Sequence, residues 1–473
     1  MGRYKTLAKN STYVFIGNIG SKLISFLMLP FYTSWMSVEE YGATDMVVVY
    51  MSLLMPFVTF CLTDAIFVFP AKCKTEKQSQ YFSTGIAASV FSFSILALVF
   101  AIIEHFDILG EQIFSKYIWY IYLLLITGFL QSYFQQFCMA LDKMFIFSMS
   151  GIVLTACTAL FGFLMIPVNG AEGFLISLVT ANIITILFTC LVVRLYRYVR
   201  IKRVKKSLLA EMLKYTVPLI PNALMWWLIS SFNRVTMEHS VGVYFIGLYA
   251  VASKIPSILT SLFNPLTNAW KLSVVQEYGK PDFDNFYSNI GGMLIMTISL
   301  GAVIFGLFSE AIIDLFTASD YHGSWIYSPI LILSLVFIGI GAAVDPIFIA
   351  IKHSKYFLWS SIVGAIVGVA LNFILIPIIG IWGAVISLVG AHFFISLTRL
   401  YFAEKHVQLL YKKNMITFVA LTILVNIIMT TVHNYLLSIS LGITMIGIFY
   451  CYNKNHIGKV YSIIKSKYDK RKS

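Results

Sequence analysis

Six ionisable side chains interrupt sequence otherwise too apolar to sit in water: Lys22, Asp45, Asp64, Arg234, Lys254 and Asp345. A charge at the centre of a bilayer costs about 2.5–3.5 kcal/mol on insertion scales, so each one asks for a partner or a task. Lys22, Arg234 and Lys254 suit one kind of chemistry, the electrostatic binding of an anionic group that crosses the membrane. Asp64 and Asp345 suit another, because a desolvated carboxylate takes up a proton or a small cation and would couple transport to H⁺ or Na⁺. Purely structural readings compete for each residue. Lys22 could pair with Asp64, Arg234 could pair with Glu238 or snorkel to the interface, and the two aspartates could be salt-bridged or exposed at the inner interface.

The elements that must position these charges are membrane spans. Of 473 residues, 59% are hydrophobic and 12% charged, against roughly 25% charged in an ordinary soluble domain. Apolar runs of spanning length fall at about 12–34, 44–69, 81–103, 116–138, 144–167, 171–193, 213–236, 243–270, 285–308, 326–351, 356–378, 380–402, 414–434 and 435–452. The fold class expected is an all-α polytopic membrane protein of about 14 transmembrane helices. The chain leaves no room for a sizeable soluble domain, which argues against an enzyme.

The net charge of +13 would suggest nucleic acid in a soluble protein, but in a polytopic one it reports topology. Thirty of the 34 basic residues fall on the side of the membrane that holds the N-terminus, and Lys116 is the one loop cation opposite. The positive-inside rule therefore places both termini in the cytoplasm. On this assignment Lys22 and Lys254 lie mid-span, Arg234 and Asp45 near the outer face, and Asp64 and Asp345 toward the inner one.

Pro167, Gly170, Gly173, Ile176, Ser177, Leu178, Val179 and Ala181 recur 210 residues later as Pro377, Gly380, Gly383, Ile386, Ser387, Leu388, Val389 and Ala391. A weaker match at offset 205 pairs Leu23-Ile24-Ser25 with Leu228-Ile229-Ser230 and Gly42 with Gly247. Spans one to six thus resemble spans seven to twelve. Because six is even, the halves share one orientation, the parallel-repeat plan of a transporter with its substrate path between them. The expected divisions are an N-lobe at 1–206, a C-lobe at 207–413, and two further helices with a basic tail at 414–473. Lys22, Arg234 and Lys254 begin the two repeats, where a cationic central cavity would form. Pro218 and Pro221 free backbone carbonyls in span seven and suit a hinge.

Other chemistry is missing from the sequence. The six cysteines form no Cys-x-x-Cys pair and the chain has no phosphate-binding loop, so neither a resident metal nor ATP is implied. No cofactor is expected beyond a coupling H⁺ or Na⁺. Asp282-Phe283-Asp284 is an isolated fragment of a metal-binding motif in a short loop.

Lys9-Asn10-Ser11, Leu29-Pro30-Phe31-Tyr32, Glu40-Tyr41-Gly42, Pro218-x-x-Pro221-Asn222, Trp226-Trp227, Asn233-Arg234, Gly247-Leu248-Tyr249, Ala269-Trp270 and Gly380-Ile381-Trp382-Gly383-Ala384 resemble the Wzx-type polysaccharide flippases of the multidrug, oligosaccharidyl-lipid and polysaccharide exporter superfamily. The family often reads Asp-Arg where this chain has Asn233-Arg234. The resemblance implies two six-helix bundles with two C-terminal helices, alternating access, and a location in the bacterial inner membrane. It implies an undecaprenyl-pyrophosphate-linked oligosaccharide as substrate for O-antigen or capsular polysaccharide synthesis. The partners expected are that lipid-linked oligosaccharide, membrane lipids and other polysaccharide-assembly proteins, with no nucleic acid. An ion-coupled drug or metabolite antiporter of the same superfamily is the alternative, and a membrane polymerase or acyltransferase is disfavoured by the short outer loops.

Overall fold

Apolar runs bounded by caps, prolines and glycines fold as helices along the whole described chain. The computed structural model describes residues 17–108, 110, 112–200, 204–407, 413–432 and 434–472, with 413 and 455–472 as backbone alone. Lys9-Asn10-Ser11 and the start of the first expected span lie outside the described residues. The first half holds α1 (17–27), α2 (Leu29–Trp35), α3 (Val38–Thr59), α4 (Leu62–Val68), α5 (Thr75–His105), α6 (Ile113–Lys116), α7 (Ile118–Ala140) and α8 (Met144–Val193). Next come α9 (Lys206–Thr216), α10 (Ile220–Ser230), α11 (Phe232–Ser240), α12 (Val243–Ala252), α13 (Lys254–Glu277), α14 (Phe283–Leu307) and α15 (Ser309–Phe316). The rest is α16 (Ser328–Ala350), α17 (Lys355–Ile379), α18 (Ile381–Glu404), α19 (Lys413–Thr431) and α20 (Tyr435–Lys472).

Among the described residues, ten helical stretches are long and apolar enough to cross a membrane. The fourteen expected spans differ from these ten for local reasons. Helix α8 joins two expected spans through Gly170, whose φ of 51° and ψ of −127° are not helical. Helix α7 is long enough to span, but its tyrosines and glutamines lower its hydropathy. The first expected span divides between α1 and α2 ahead of Pro30, and the seventh breaks into α9, α10 and α11 around a 3₁₀ turn at Val217–Leu219. The protein is an all-α polytopic membrane protein, and the interrupted helices are where its polar residues gather.

The helices pack into two compact units, one of residues 1–251, 314–322 and 372–384, the other of 252–313, 323–371 and 385–473. In the first, α3 opens with a capping box: Ser37 Oγ accepts from Glu40 N–H at 3.2 Å and Ser37 N–H donates to the Glu40 carboxylate at 2.9 Å. One turn on, α3 meets α12 with no side chain between them. A Cβ on Gly42 would lie 2.3 Å from the Val243 carbonyl oxygen, and a Cβ on Gly247 would lie 2.0 Å from that of Val38. The contact is reciprocal, and its members are related by the 205-residue offset, so the repeat is a physical near-twofold at this point. The 210-residue offset is physical too. Gly170 and Gly380 both take positive φ, at 51° and 59°, and a Cβ added to Gly173 would lie 2.3 Å from Met165 O and one added to Gly383 2.5 Å from Ile376 N, so both press on the backbone of the preceding helical segment.

In the second unit a cluster of Met296, Val303, Phe418, Val425, Met429 and Met445 packs α19 and α20 onto α14. Pro346 lies inside α16. One turn before it, the Ala343 carbonyl accepts from Trp270 Nε1–H at 2.9 Å and from Tyr287 O–H at 2.7 Å, which ties α13 and α14 to α16.

The α3–α12 contact predicts an outcome. Gly42→Val and Gly247→Val force side chains into backbone, beyond the about 1–3 kcal/mol of ordinary overpacking. Both should abolish monodisperse protein in detergent extracts, whereas Gly323→Ala, at a position facing open space, should leave the yield unchanged.

Candidate functional site

The break at Ser231 builds the site. Ser231 leaves the helical region at φ −129° and ψ −22°, so α10 ends with its last carbonyls short of helical donors. Arg234, one turn later on α11, turns back on that break: its Nη1–H donates to the Ser230 carbonyl at 2.9 Å and its backbone N–H to that of Ser231 at 3.1 Å.

Arg234 Nε–H donates to Asp45 on α3 at 2.6 Å, with side-chain exposures of 14% and 21%. The guanidinium carbon lies 4.9 Å from the centre of the Tyr249 ring on α12, a cation–π contact. Asn233 Nδ2–H donates to Tyr249 O–H at 2.6 Å, which orients the ring, and Asn233 Oδ1 accepts from Arg234 Nη1–H at 3.4 Å. The acidic partner that the family's Asp-Arg pair would supply from sequence is thus supplied through space.

Two further bonds tie the same helices. Trp227 Nε1–H donates to the Val49 carbonyl at 3.1 Å. Glu238, the other candidate partner of Arg234, instead accepts from Tyr50 O–H and, at 3.2 Å, from Ile113 N–H at the start of α6. Between Asp45 and Tyr50, α3 therefore meets α10 and α11 through an ion pair, a carboxylate hydrogen bond and an indole hydrogen bond.

The other sequence-predicted residues stand on other elements. Lys22 is an exposed residue of α1, and Lys254 opens α13, half-buried. Asp64 is exposed in the first turn of α4, after Phe60 and Cys61 take left-handed conformations. Pro218 stands in the 3₁₀ turn and Pro221 in the first turn of α10.

Asp345 has a partner that sequence reading missed. Arg399 on α18, which its place in the sequence puts among the inner-loop cations, is 7% exposed. Its Nη1 lies 2.9 Å from the Asp345 carboxylate, its Nε–H donates to Ser360 Oγ at 3.2 Å, and its guanidinium carbon is 5.5 Å from the centre of the Phe357 ring. A signal was present, because Arg399 falls within the expected span at 380–402. Beside this pair the second unit holds an apolar cavity of about 530 Å³ between α14, α16, α18 and α19, lined by Ile295, Phe337, Val344, Leu400, Met415 and Ile423, with Ser396, Tyr401 and Glu404 as polar members. The six cysteines are free thiols. Asp282 caps its own loop, accepting from Asn285 Nδ2–H at 2.9 Å.

The sequence profile of the polysaccharide biosynthesis protein family matches residues 7–270, and that of the MatE family matches 218–374. No curated protein sequence matches the chain. Among solved structures, a lipid II flippase, MurJ, in an inward closed conformation aligns over 95% of this chain and all of its own, with a TM-score of 0.69 and 16% identity. An inward-facing multidrug resistance transporter of the MATE family aligns over 84% of this chain and 95% of its own, at TM-score 0.62 and 14% identity. A transporter of the same superfamily from Pyrococcus furiosus, described by a reversed polarity of its binding pocket, covers 86% of this chain and 97% of its own at TM-score 0.58 and 15% identity. At these identities the likeness is one of fold.

The ion pair predicts a double-mutant cycle. Asp45→Ala leaves the buried Arg234 guanidinium without its counter-charge and should cost about 3–5 kcal/mol. The Asp45→Ala/Arg234→Ala double variant should be more stable than Asp45→Ala alone, read by thermal unfolding of the purified protein. Additive losses would show that the two residues do not act as a pair.

Proposed function

The chain belongs to the polysaccharide biosynthesis protein family and is a transporter rather than an enzyme, and from that premise we propose that it flips undecaprenyl-pyrophosphate-linked oligosaccharide repeat units to the outer leaflet of the bacterial inner membrane. The glycan made from them is O-antigen or capsular polysaccharide. The observation that carries the reading is the state of Arg234. Its guanidinium is nearly buried and bonds Asp45 through Nε, while Nη1 goes to neutral acceptors. A pyrophosphate that meets the guanidinium fork with two oxygens gains a second charge-assisted bond that this carboxylate does not make. Asp45 therefore holds the cation while the site is empty and gives it up to a better anion.

Lys22 and Lys254 are the other candidate cations for an anionic group. The apolar cavity beside Asp345 and Arg399 has the surface to receive part of an isoprenoid chain, which never needs to leave an apolar medium. Asp64 and Asp345 are the candidates for a coupling H⁺ or Na⁺, and the helix breaks at Pro218 and Pro221 are the hinge about which the lobes at 1–206 and 207–413 alternate. An inside-negative potential favours outward movement of an anion by about 2.3 kcal/mol per charge per 100 mV. Both termini lie in the cytoplasm, and the working partners are the lipid-linked oligosaccharide, membrane lipids and other polysaccharide-assembly proteins.

Two outcomes test this reading. Lys22→Ala, Arg234→Ala and Lys254→Ala should each lower surface glycan, with Arg234→Ala losing about 10- to 100-fold, the worth of one hydrogen bond to a charged group. Membrane abundance is measured in parallel, and full export by all three variants sinks the proposal. For orientation, a reporter fused at Lys205 should be active only in the cytoplasm, and labelling of that position from outside would reverse the topology.

A further inference from the structure

The turn between α16 and α17 carries a cluster that has no part in the transport proposed above. Lys352 adopts a left-handed conformation, at φ 59°, so the chain reverses sharply and sets Lys352, His353 and Lys355 around one open recess of about 570 Å³. Its floor is aromatic. The Tyr356 ring stacks on Phe402 of α18 with centroids 4.6 Å apart and on His353 at 5.7 Å, and the Tyr356 hydroxyl meets His406 Nε2 at 3.0 Å. Lys405 is adjacent, its ammonium 4.3 Å from the centre of the Tyr401 ring. Among the described residues, no carboxylate lines the recess.

The recess opens onto an apolar surface. Trp359, one turn along α17, is 56% exposed and lines it, and Leu358 and Tyr401 beside it are exposed as well. Helix α17 is among the stretches apolar enough to cross a membrane, so this rim of tryptophan, tyrosine and lysine stands where a span meets water. Tryptophan and tyrosine favour that level of a bilayer, and basic recesses there bind anionic headgroups.

We propose that this recess binds the phosphate of an anionic glycerophospholipid. Lys352 and Lys355 meet the phosphate, the polar edges of His353 and Tyr356 face the headgroup, and Trp359 lies against the glycerol and the first methylenes of the acyl chains. Charge selects an anionic headgroup over a zwitterionic one, and the exposed apolar rim selects a lipid over free phosphate. The site depends neither on the transported substrate nor on the orientation of the chain.

The test uses the full-length protein in nanodiscs of phosphatidylcholine with a minor fraction of phosphatidylglycerol, and reads by mass spectrometry the lipids kept after transfer to detergent. Wild type should retain phosphatidylglycerol above its input fraction. Each lysine near an anionic surface is worth about fivefold in affinity, so Lys352→Ala/Lys355→Ala should lower the enrichment at least about fivefold, while Lys352→Arg/Lys355→Arg retains it and Trp359→Ala weakens it. Equal enrichment in wild type and the alanine variant overturns the proposal, as does retention of phosphatidylcholine in proportion to input. Loss of the enrichment on adding millimolar inorganic phosphate at constant ionic strength would also overturn it, because the recess would then be a site for free phosphate. Surface glycan is scored separately: normal export by the alanine variant leaves the transport reading intact, and loss of export by Arg234→Ala leaves this one intact.

Discussion

Two helices that touch backbone to backbone fix the rest of the first unit. Only glycine permits the approach at Gly42 and Gly247, where a Cβ on either would fall within 2.3 Å of a carbonyl oxygen on the other helix. With α3 and α12 pressed together there, Asp45 lies three residues beyond the contact on one helix and Tyr249 two residues beyond it on the other. Both then face the space that α11 fills with Arg234 and Asn233. An alanine in place of either glycine would push the helices apart, and an ion pair of 2.6 Å has no slack to absorb the shift.

The electrostatics follow from that close packing. An arginine taken out of water needs its donors satisfied as well as its charge balanced, and Arg234 meets both needs from local sources: a carboxylate from α3, a carbonyl freed by the break at Ser231, an amide oxygen from its own neighbour, and the face of an aromatic ring. Replacing the pair by apolar residues of like volume would often be as stable or more so. Stability is therefore a weak reason for its presence, and function a better one. Arg399 shows the same construction in the second unit, with Asp345, Ser360 and the Phe357 ring around it.

The sequence made some of this legible and hid the rest, for identifiable reasons. The apolar runs that become helices and the glycines of both repeat offsets could be read because each is fixed by local chemistry. The repeat proved physical at the residues that defined it, with Gly170 and Gly380 both at positive φ and Gly42 and Gly247 in contact. What could not be read was partnership through space. Asp45 and Arg234 are 189 residues apart, and nothing local to Arg234 selects Asp45 over the nearer Glu238, which geometry gives to Tyr50 and Ile113. The break at Ser231 was hidden too, because serine neither ends a helix as proline does nor permits positive φ as glycine does. Arg399 was misplaced by its position five residues from the end of α18, where one helical turn separates a loop cation from a buried one.

Pairing also changes how the net charge bears on mechanism. Arg234 with Asp45 and Arg399 with Asp345 are neutral pairs, so each can be buried at a lower cost than a lone ion and neither adds to the charge on which a membrane potential acts. The excess of cations resides in the loops, where it orients the chain. In the flipping proposed above, an anion that takes the guanidinium of Arg234 from Asp45 leaves the positive charge on the protein and a carboxylate without its partner in a partly buried place. Because Arg234 stays on the protein, such an exchange leaves the charge of the carried anion, and not that of the arginine, for the membrane potential to act on.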